Sequence, residues 1–199
     1  AALVGESPER WLIFETNQGT DDHIVRDDWT LRPGSATSVA GTVGALPRTA
    51  AGGHTFVPLV GRACVDMAFY EPSKDFRQLA RGLRPGDGVR VWGSMRADGR
   101  SLNVEKIFVE DVATWRVWRA NPRCPSCGKS MKVMGRGAGY RCIRRHGRAP
   151  REAAEFEEAV RSLHPGWYEP PAYARRHLSM PVSRIRRGSP SAQRPRRTA

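Results

Sequence analysis

The chain has 199 residues and a net charge of +13, and this length allows one ordinary domain or two small ones. Its 39% hydrophobic content allows a modest core, whereas 20 glycines and 15 prolines indicate many turns. No apolar run approaches the ~18 residues that a membrane helix needs, and no signal-peptide pattern opens the chain. These absences predict a cytoplasmic location and no membrane partner. Because the sequence starts at Ala1 and soon enters an apolar run, we expect the C-terminal portion of a longer protein; a processed or truncated start is the alternative.

The pattern of the first 112 residues predicts mostly strands. A strand is predicted at 9–16, followed by a polar turn and by a Pro-Gly linker at 31–35. Further strands are predicted at 37–47, 54–60, 63–70, 89–95 and 101–112, with a short helix at 75–83 and an Asp-Gly hairpin turn at 98–99. Glycines inside the strand at 37–47 indicate a bend or a close backbone approach. Three strands, a helix and two strands follow the order of a five-stranded OB-fold barrel, in which Cys64 is predicted to be a small core residue.

Three of the four cysteines form a metal-binding pattern. Cys124 and Cys127 make a C-x-x-C turn that ends in glycine, and fourteen residues separate Cys127 from Cys142. Without a secretory signal, this spacing predicts a metal site rather than disulfides. His146 is the predicted fourth ligand, with His164 as the alternative, and four protein ligands predict a structural zinc ion. A ribbon that has lost its metal is the other interpretation.

The remainder of the chain is predicted to be a short helix and a basic tail. Phe156, Val160 and Leu163 recur at helical spacing and predict an amphipathic helix from Glu152 to Leu163. A segment rich in proline and aromatic residues follows. From Ser183 the sequence is basic and of low complexity, which predicts disorder in isolation. The predicted fold class is therefore mainly β: an OB-fold barrel, then a small zinc ribbon and a short helix.

Positive charge is concentrated in the C-terminal part of the chain. Residues 1–113 carry 13 Lys and Arg against 15 Asp and Glu, whereas residues 114–199 carry 20 against 5. This asymmetry predicts a polyanionic partner for the C-terminal part. A GC-rich genome explains a high share of arginine, but it does not explain why the charge lies in one half.

Arginines interleaved with aromatic residues are the candidate nucleic-acid contacts, because such side chains hold phosphates and stack on bases. The candidates are Arg90, Trp92, Arg96 and Lys106 on the last two barrel strands, Arg116, Arg119, Arg123, Arg141 and Arg144 around the ribbon, and Arg175 and Arg176 near the end. Strand residues alternate between faces, so Trp92 is equally consistent with a packing role. A solvated surface is the alternative for the ribbon.

The sequence offers one tight polar group as a catalytic candidate. It consists of Asp21, Asp22 and His23, for which a turn or a helix cap is the alternative. The sequence contains neither a phosphate-binding glycine loop nor a Ser/His/Asp arrangement with recognisable spacing.

Several short motifs follow one another between residues 9 and 187. They are TNQGTDDH at 16–23, GGH at 52–54, YEPSK at 70–74, Gly86-Asp87, LNVEKI at 102–107, NPRCPSCG at 121–128 and WYEPPAYARRHL at 167–178. These motifs and their order resemble the archaeal tRNA-Ile agmatidine synthetases (TiaS). One departure is Arg145-His146, where the family ribbon usually has its fourth cysteine.

The resemblance implies an activity and a domain order. The family uses ATP to couple agmatine to C2 of the wobble cytidine in the isoleucine tRNA with a CAU anticodon. A kinase-like module and a ferredoxin-like domain precede the OB fold and the zinc ribbon in family members. The expected partners are therefore tRNA and agmatine. Structural zinc is expected in this chain, whereas ATP and Mg²⁺ are expected only in the full-length enzyme, so this portion is expected to be inactive alone.

Five regions are predicted on this basis: 1–33 as the end of an upstream ferredoxin-like or catalytic region, 36–113 as the OB fold, 114–150 as the zinc ribbon, 151–182 as the helix and the Pro/aromatic segment, and 183–199 as the basic tail. The predicted function is the tRNA-binding part of such a ligase. The alternatives are a stand-alone OB-fold and zinc-ribbon protein that binds single-stranded nucleic acid without catalysis, or a protein-interaction scaffold.

Overall fold

The computed structural model describes residues 9–25, 30–71, 73–135 and 137–186, with residue 186 described by its backbone only. The first strands are β1 (Ile24–Val25), β2 (Ala36–Val43), β3 (Arg48–Thr49), β4 (Thr55–Gly61), β5 (Val65–Phe69), β6 (Gly88–Met95) and β7 (Ser101–Asp111). Helix α1 (Asp75–Gly82) lies between β5 and β6. The later elements are β8 (Arg116–Ala120), β9 (Lys132–Val133), β10 (Tyr140–Arg141), β11 (Arg148–Ala149), β12 (Glu155–Glu158), β13 (Gly166–Tyr168) and α2 (Val182–Arg186).

Strands β2, β4, β5, β6 and β7 close a barrel. β2 pairs antiparallel with both β4 and β6, and β4 pairs antiparallel with β5. β5 then pairs in parallel with β7, and β7 pairs antiparallel with β6, which completes the circle. With α1 between the third and fourth strands, this is the connectivity of an OB fold, and the predicted fold class is confirmed.

Alternation along the strands fills the barrel with aliphatic side chains. β4 contributes Val57 and Leu59, β5 contributes Val65, Met67 and Phe69, and β6 and β7 contribute Val89, Val91, Ile107 and Val109. Helix α1 adds Phe76 and Ala80, and Leu83 follows directly after it. Each large aliphatic side chain buried in this way contributes about 1.5–3 kcal/mol, so this cluster is the main source of the barrel's stability.

Two glycines allow barrel strands to approach closely. A Cβ atom on Gly41 of β2 would lie 2.5 Å from the carbonyl oxygen of Val60. A Cβ atom on Gly93 of β6 would lie 2.2 Å from the carbonyl oxygen of Asn103. No side chain is compatible with these distances, which confirms the interpretation that glycine in the first barrel strand marks a close backbone approach.

Both ends of the described chain pack on the barrel. β1 pairs in parallel with β2, and β13 pairs antiparallel with β7. These two segments also contact each other. The N–H of Gly19 donates to the carbonyl of His177 at 2.8 Å, and the N–H of Asp21 donates to the carbonyl of Leu178 at 3.0 Å. The segment before the barrel and the segment after the ribbon therefore extend one face of the same structure.

Two predicted elements differ from the structure. The strand predicted at 9–16 is wrong: residues 11–14 are exposed and no other described segment pairs with them. An apolar run indicates a strand only where a partner completes its hydrogen bonds. The helix predicted from Glu152 to Leu163 is also wrong, since a short 3-10 turn leads into β12, which pairs with β8 and places Phe156 opposite Trp118. Tertiary pairing overrides the helical spacing there.

Two smaller differences concern Cys64 and the tail. Cys64 is exposed in the turn between β4 and β5 and is not a core residue. The predicted tail at 183–199 begins inside α2, whereas residues 187–199 lie outside the described residues. Among the residues that are described, no helix combines the length and apolar character that crossing a membrane requires.

Candidate metal centre and nucleic-acid interface

The first cysteine knuckle is a tight turn closed by backbone hydrogen bonds. The N–H of Cys124 donates to the carbonyl of Lys129 at 2.9 Å, and the N–H of Gly128 donates back to the carbonyl of Cys124 at 2.8 Å. Gly128 has a φ of 68°, a conformation that glycine adopts without steric cost. The C-x-x-C-G sequence therefore folds locally so that both thiols lie on one side of the turn.

The second knuckle is closed by a backbone hydrogen bond of the same span, but its two ligands, Cys142 and His146, are one residue further apart in sequence. The N–H of Cys142 donates to the carbonyl of Gly147 at 2.9 Å, and the N–H of Arg145 donates to the carbonyl of Cys142 at 3.0 Å. Arg145 adopts a φ of 61°, which is unfavourable for a residue with a side chain. This turn directs His146, rather than residue 145, towards the other ligands. The departure from the family's cysteine pattern is thus accommodated by the backbone.

The four predicted metal ligands converge on one point. The Sγ atoms of Cys124, Cys127 and Cys142 and a ring nitrogen of His146 all lie within 4.8 Å of one another. The Cys127 and Cys142 Sγ atoms are 3.6 Å apart, and Cys124 Sγ is 3.9 Å from His146 Nδ1. Tetrahedral zinc, with bonds of about 2.3 Å to sulfur and 2.0 Å to nitrogen, requires ligand separations of about 3.6–3.8 Å. The residues therefore fit structural zinc, and His164 is not part of the cluster.

Backbone hydrogen bonds prepare these thiols unequally for metal binding. The N–H groups of His146 and Arg144 donate to the Cys142 sulfur and lower the pKa of Cys142 to about 7. The N–H of Lys129 acts in the same direction on Cys127, but burial and the neighbouring thiols outweigh it and raise the pKa of Cys127. Because adjacent thiolates repel one another, a divalent cation is what allows all three cysteines to ionise together.

Residues 121–151 of the ribbon carry positive charge without a carboxylate of their own, and the four glutamates of the ribbon follow between residues 152 and 158. Residues 121–151 contain no Asp or Glu, and their basic residues are Arg123, Lys129, Lys132, Arg136, Arg141, Arg144, Arg145, Arg148 and Arg151. The candidates Arg123, Arg141 and Arg144 are exposed. Arg116 and Arg119 on β8 are also exposed, the first over the ring of Phe156 at 5.7 Å and the second 3.7 Å from Glu157.

The aromatic candidate on the barrel face, Trp92, is partly covered by the C-terminal segment. Trp92 packs on Trp167 of β13 with a centroid distance of 4.7 Å, and Phe108 packs on the same indole at 5.1 Å. Trp92 therefore has a packing role on the outside of the barrel. Arg96 is exposed and donates to the Tyr70 hydroxyl at 2.7 Å, and Arg90 lies 3.5 Å from Glu110.

Lys106 does not contact solvent, so its assignment as a nucleic-acid contact is wrong. Its side chain is 1% exposed, and its ammonium donates to both Asp21 carboxylate oxygens at 2.6 Å and to the carbonyl of Met180 at 2.9 Å. Burial lowers the pKa of Lys106 and the Asp21 carboxylate opposes that effect. Lys106 joins the two ends of the described chain to β7.

A β-bulge explains why Glu105 is directed to the same side as Lys106. In the pairing of β6 with β7, Trp92 faces Lys106 and Gly93 faces Val104, so Glu105 is the additional residue. Its carboxylate accepts from Arg176 at 2.9 Å and lies 3.0 Å from His23 Nε2. Glu105 belongs to the LNVEKI motif, but nothing local in the sequence indicated its partners, because the bulge arises only from strand pairing.

Two of the three catalytic candidates, Asp21 and His23, contact Lys106 and Glu105. Asp21 binds Lys106 and also accepts from the N–H of Met180 at 2.7 Å, while His23 is paired with Glu105. Asp22 is exposed. Arg175 pairs with Glu169 at 3.2 Å. Asp21 and His23 thus have structural contacts in the described part of the chain.

A buried ion pair that sequence reasoning missed ties the segment after the ribbon to the barrel. Both terminal nitrogens of Arg161 donate to Asp87 at 2.6 Å, and they also donate to the carbonyls of Ala113 and Gly82. Asp87 is 0% exposed. The Gly86-Asp87 turn indicated a loop but gave no indication of a partner 74 residues away.

Comparisons of the sequence with a family profile and with known proteins point to the same family. The profile of the TiaS C-terminal zinc ribbon domain matches residues 121–161. The chain is 41% identical over 193 residues to the isoleucine-tRNA 2-agmatinylcytidine synthetase TiaS from Methanosarcina mazei, covering 94% of the chain and 44% of that relative. The corresponding protein of Methanocaldococcus jannaschii is 37% identical over 188 residues, covering 92% of the chain and 43% of the relative. The chain belongs to the TiaS family.

Solved TiaS structures agree with this assignment. The crystal structure of a complex of TiaS with its isoleucine tRNA and ATP matches with a TM-score of 0.68 at 38% identity, covering 84% of this chain and 39% of that one. A complex of TiaS with the same tRNA, AMPCPP and agmatine matches with a TM-score of 0.69 at 36% identity, covering 90% and 40%. The chain spans less than half the length of these relatives, and it corresponds to the part that contains the barrel and the zinc ribbon.

Proposed function

We propose that this chain is the tRNA-binding part of a ligase that attaches agmatine to the wobble cytidine of the CAU-anticodon isoleucine tRNA. The barrel and ribbon hold the tRNA, and residues outside this chain bind ATP and Mg²⁺ and carry out the chemistry. This division of roles is consistent with the described residues, in which Asp21 forms an ion pair with Lys106 and His23 is in hydrogen-bond contact with Glu105.

The uncompensated charge of the ribbon is the observation that carries the proposal. Over residues 121–151 nine basic residues occur with no carboxylate, whereas Arg48 on the barrel contacts Asp66 and Arg161 after the ribbon contacts Asp87. Cations that lack carboxylate partners are the groups that gain most from contact with phosphates. The solved relatives support tRNA as the polyanion, since TiaS structures include complexes with an isoleucine tRNA.

The first experiment measures binding of this chain to two tRNAs across a salt series. The isoleucine tRNA with a CAU anticodon is compared with the initiator methionine tRNA, which shares that anticodon. Each phosphate contact contributes about 0.9 to the slope of log affinity against log salt concentration. Tight binding with a steep slope, and a preference for the isoleucine tRNA that persists at high salt, is the expected result.

Charge-reversal variants locate the interface. Arg141→Glu combined with Arg144→Glu is expected to weaken binding and to reduce the salt slope by about two, one unit for each lost contact. The matched control is Arg48→Glu, an exposed arginine on the barrel, which is expected to leave the slope unchanged. Equal effects of the two changes would contradict a ribbon interface. Equal, strongly salt-sensitive binding of both tRNAs and of unrelated single-stranded RNA would favour the stand-alone binding protein.

Activity is tested in the full-length protein that contains this chain. Incorporation of labelled agmatine into the isoleucine tRNA is expected to require ATP. The Arg141→Glu/Arg144→Glu variant is expected to raise the KM for tRNA while leaving kcat almost unchanged, because these residues contribute binding rather than chemistry. A fall in kcat at saturating tRNA would instead mean that the ribbon positions the reacting base.

A further inference from the structure

One concave surface of the ribbon lies apart from the metal ligands. It is a cleft of about 670 Å³ between β8 and the three-stranded sheet formed by β9, β10 and β11. Its walls include Trp118 of β8, Val133 of β9 and Tyr140 of β10. None of these residues belongs to the ligand cluster. The cleft volume is within the range of small-molecule and nucleotide sites.

The aromatic wall of the cleft is accessible. Trp118 is 56% exposed although its cross-strand partner, Phe156, is half-buried. Val133 is also exposed, so the two apolar side chains face the cleft without being covered by another described segment. A large exposed indole is unfavourable in water and is the side chain best suited to stack on a nucleic-acid base.

The floor and rim of the cleft suit the rest of a nucleotide. Gly135, Gly137 and Gly139 line it with φ values of 124°, 84° and 73°. At Gly135 and Gly137 nothing lies within 4 Å of where a Cβ atom would be, so these two exposed positions leave backbone accessible to a ribose or a phosphate. Gly139 is instead buried against the backbone of Ala149. Arg151 lies on the rim, and among the described residues no carboxylate is within ion-pair distance of it.

We propose that this cleft binds one unpaired nucleotide of RNA, with the base stacked on Trp118 and the phosphate contacting Arg151. The proposal rests on the RNA-binding function above and adds a site that distinguishes unpaired from paired RNA. A flat base can stack on the apolar wall of the cleft. Its phosphate is attracted by the positive charge of residues 121–151, which include nine basic and no acidic residues. A fully paired duplex has no free base to place in the cleft.

Two RNAs of the same duplex sequence test the proposal. One is a blunt-ended hairpin, and the other carries a four-nucleotide single-stranded extension. Trp118→Ala is expected to weaken binding of the extended hairpin roughly ten-fold, the effect of losing one base–aromatic stack, with an unchanged salt slope. Binding of the blunt hairpin is expected to be unaffected. Trp118→Phe is expected to retain most of the affinity for the extended RNA because it keeps an aromatic face.

Control variants separate the site from folding and from charge. Tyr173→Ala removes an exposed aromatic residue outside the cleft and is expected to have no effect. Arg151→Ala is expected to lower the salt slope for the extended RNA by about one, and only for that RNA. Retention of one zinc ion per chain in the Trp118 variants shows that the ribbon remains folded.

The outcomes distinguish this proposal from the proposed function. If Trp118→Ala leaves the affinity for the extended RNA unchanged while Arg141→Glu/Arg144→Glu weakens both RNAs, the cleft proposal is overturned and RNA binding by the ribbon stands. An equal loss for both RNAs in the Trp118→Ala variant also overturns it. Failure of the unmodified chain to bind either RNA overturns both proposals.

Discussion

Removal of the Arg161 guanidinium tests how the segment after the ribbon is attached to the barrel. Arg161 binds Asp87 through both terminal nitrogens at 2.6 Å and also binds the carbonyl of Ala113 at 2.7 Å. In Arg161→Ala, Asp87 keeps only the N–H groups of Arg84 and Ala113 as donors in the described structure. A fully buried carboxylate then loses its only ion-pair partner among the described residues.

The expected loss is large compared with that of a surface pair. Breaking a buried ion pair by removing one partner costs about 3–5 kcal/mol, because the remaining charge is left without compensation. Arg161 is 11% exposed, so water replaces little of the lost interaction. The control is Arg48→Ala, whose pair with Asp66 is 62% exposed on the arginine side and is worth about 0–1 kcal/mol.

The pH dependence of this loss follows from the pKa of Asp87. Burial alone would raise that pKa, but the hydrogen bonds from Arg161, Arg84 and Ala113 hold it below its ordinary value. The ion pair therefore stabilises the fold above the unfolded pKa of about 3.9, and that contribution is lost as pH falls through the lower folded pKa. In Arg161→Ala the folded pKa of Asp87 rises, so the difference in stability between the two proteins shrinks as pH falls from the raised folded pKa of the variant to the lowered folded pKa of the unmodified chain.

Urea unfolding followed by near-ultraviolet circular dichroism measures both effects. The free energy of unfolding is compared for the unmodified chain, Arg161→Ala, Asp87→Asn and the double variant, at pH 7 and at lower pH. The double variant is expected to be less destabilised than the sum of the single variants, because neither charge is then left alone. A loss below about 1 kcal/mol at pH 7, or strict additivity, would refute the conclusion that the Arg161–Asp87 ion pair attaches the segment after the ribbon to the barrel.

Three further predictions concern the ribbon and the ion pair between Lys106 and Asp21. Cys124→Ser is expected to abolish zinc binding and to unfold residues 121–146 without unfolding the barrel; retention of one zinc ion per chain in metal analysis would contradict the ligand assignment. Arg145→Gly is expected to stabilise the ribbon by up to about 1 kcal/mol, since glycine relieves the positive φ, whereas Arg144→Gly is expected to destabilise it; thermal unfolding should rank the two variants in that order. Lys106→Met is expected to lower the free energy of unfolding in urea by about 3–5 kcal/mol, because it leaves the Asp21 carboxylate without its ion-pair partner. Adding Asp21→Asn should recover part of this loss. No recovery would argue against the Lys106–Asp21 ion pair.

Much of the barrel was predictable because its signals are local. Alternation in β4, β5 and β6 and the Asp98-Gly99 turn depend only on neighbouring residues, and each was located within a few positions. The same holds for helix α1, whose bounds of Asp75–Gly82 nearly coincide with the predicted 75–83. The metal ligands were predictable because the chemistry of a C-x-x-C turn restricts which residues can complete the site.

The wrong predictions for residues 9–16, for the helix at 152–163 and for Lys106 share one physical cause. The sequence of a segment does not show which distant segment will pair with it or pack against it. Residues 11–14 are apolar enough for a strand but have no pairing segment among the described residues. Residues 155–158 have helical spacing but pair with β8, whose free edge supplies their hydrogen bonds. Lys106 carries the positive charge expected of an RNA contact. It is buried because of the bulge at Glu105 and because Asp21 packs against its ammonium group.

The sequence by itself determined the order of the barrel elements, the three cysteines of the metal cluster and the excess of positive charge in the ribbon. These properties depend on side-chain period, ligand spacing and composition, all of which are local or additive. Tertiary structure alone decided that Arg161 joins Asp87, that Lys106 is buried and that Trp118 lines an accessible cleft. Each of these depends on where a distant segment comes to lie, because burial and ion pairing are properties of two surfaces in contact.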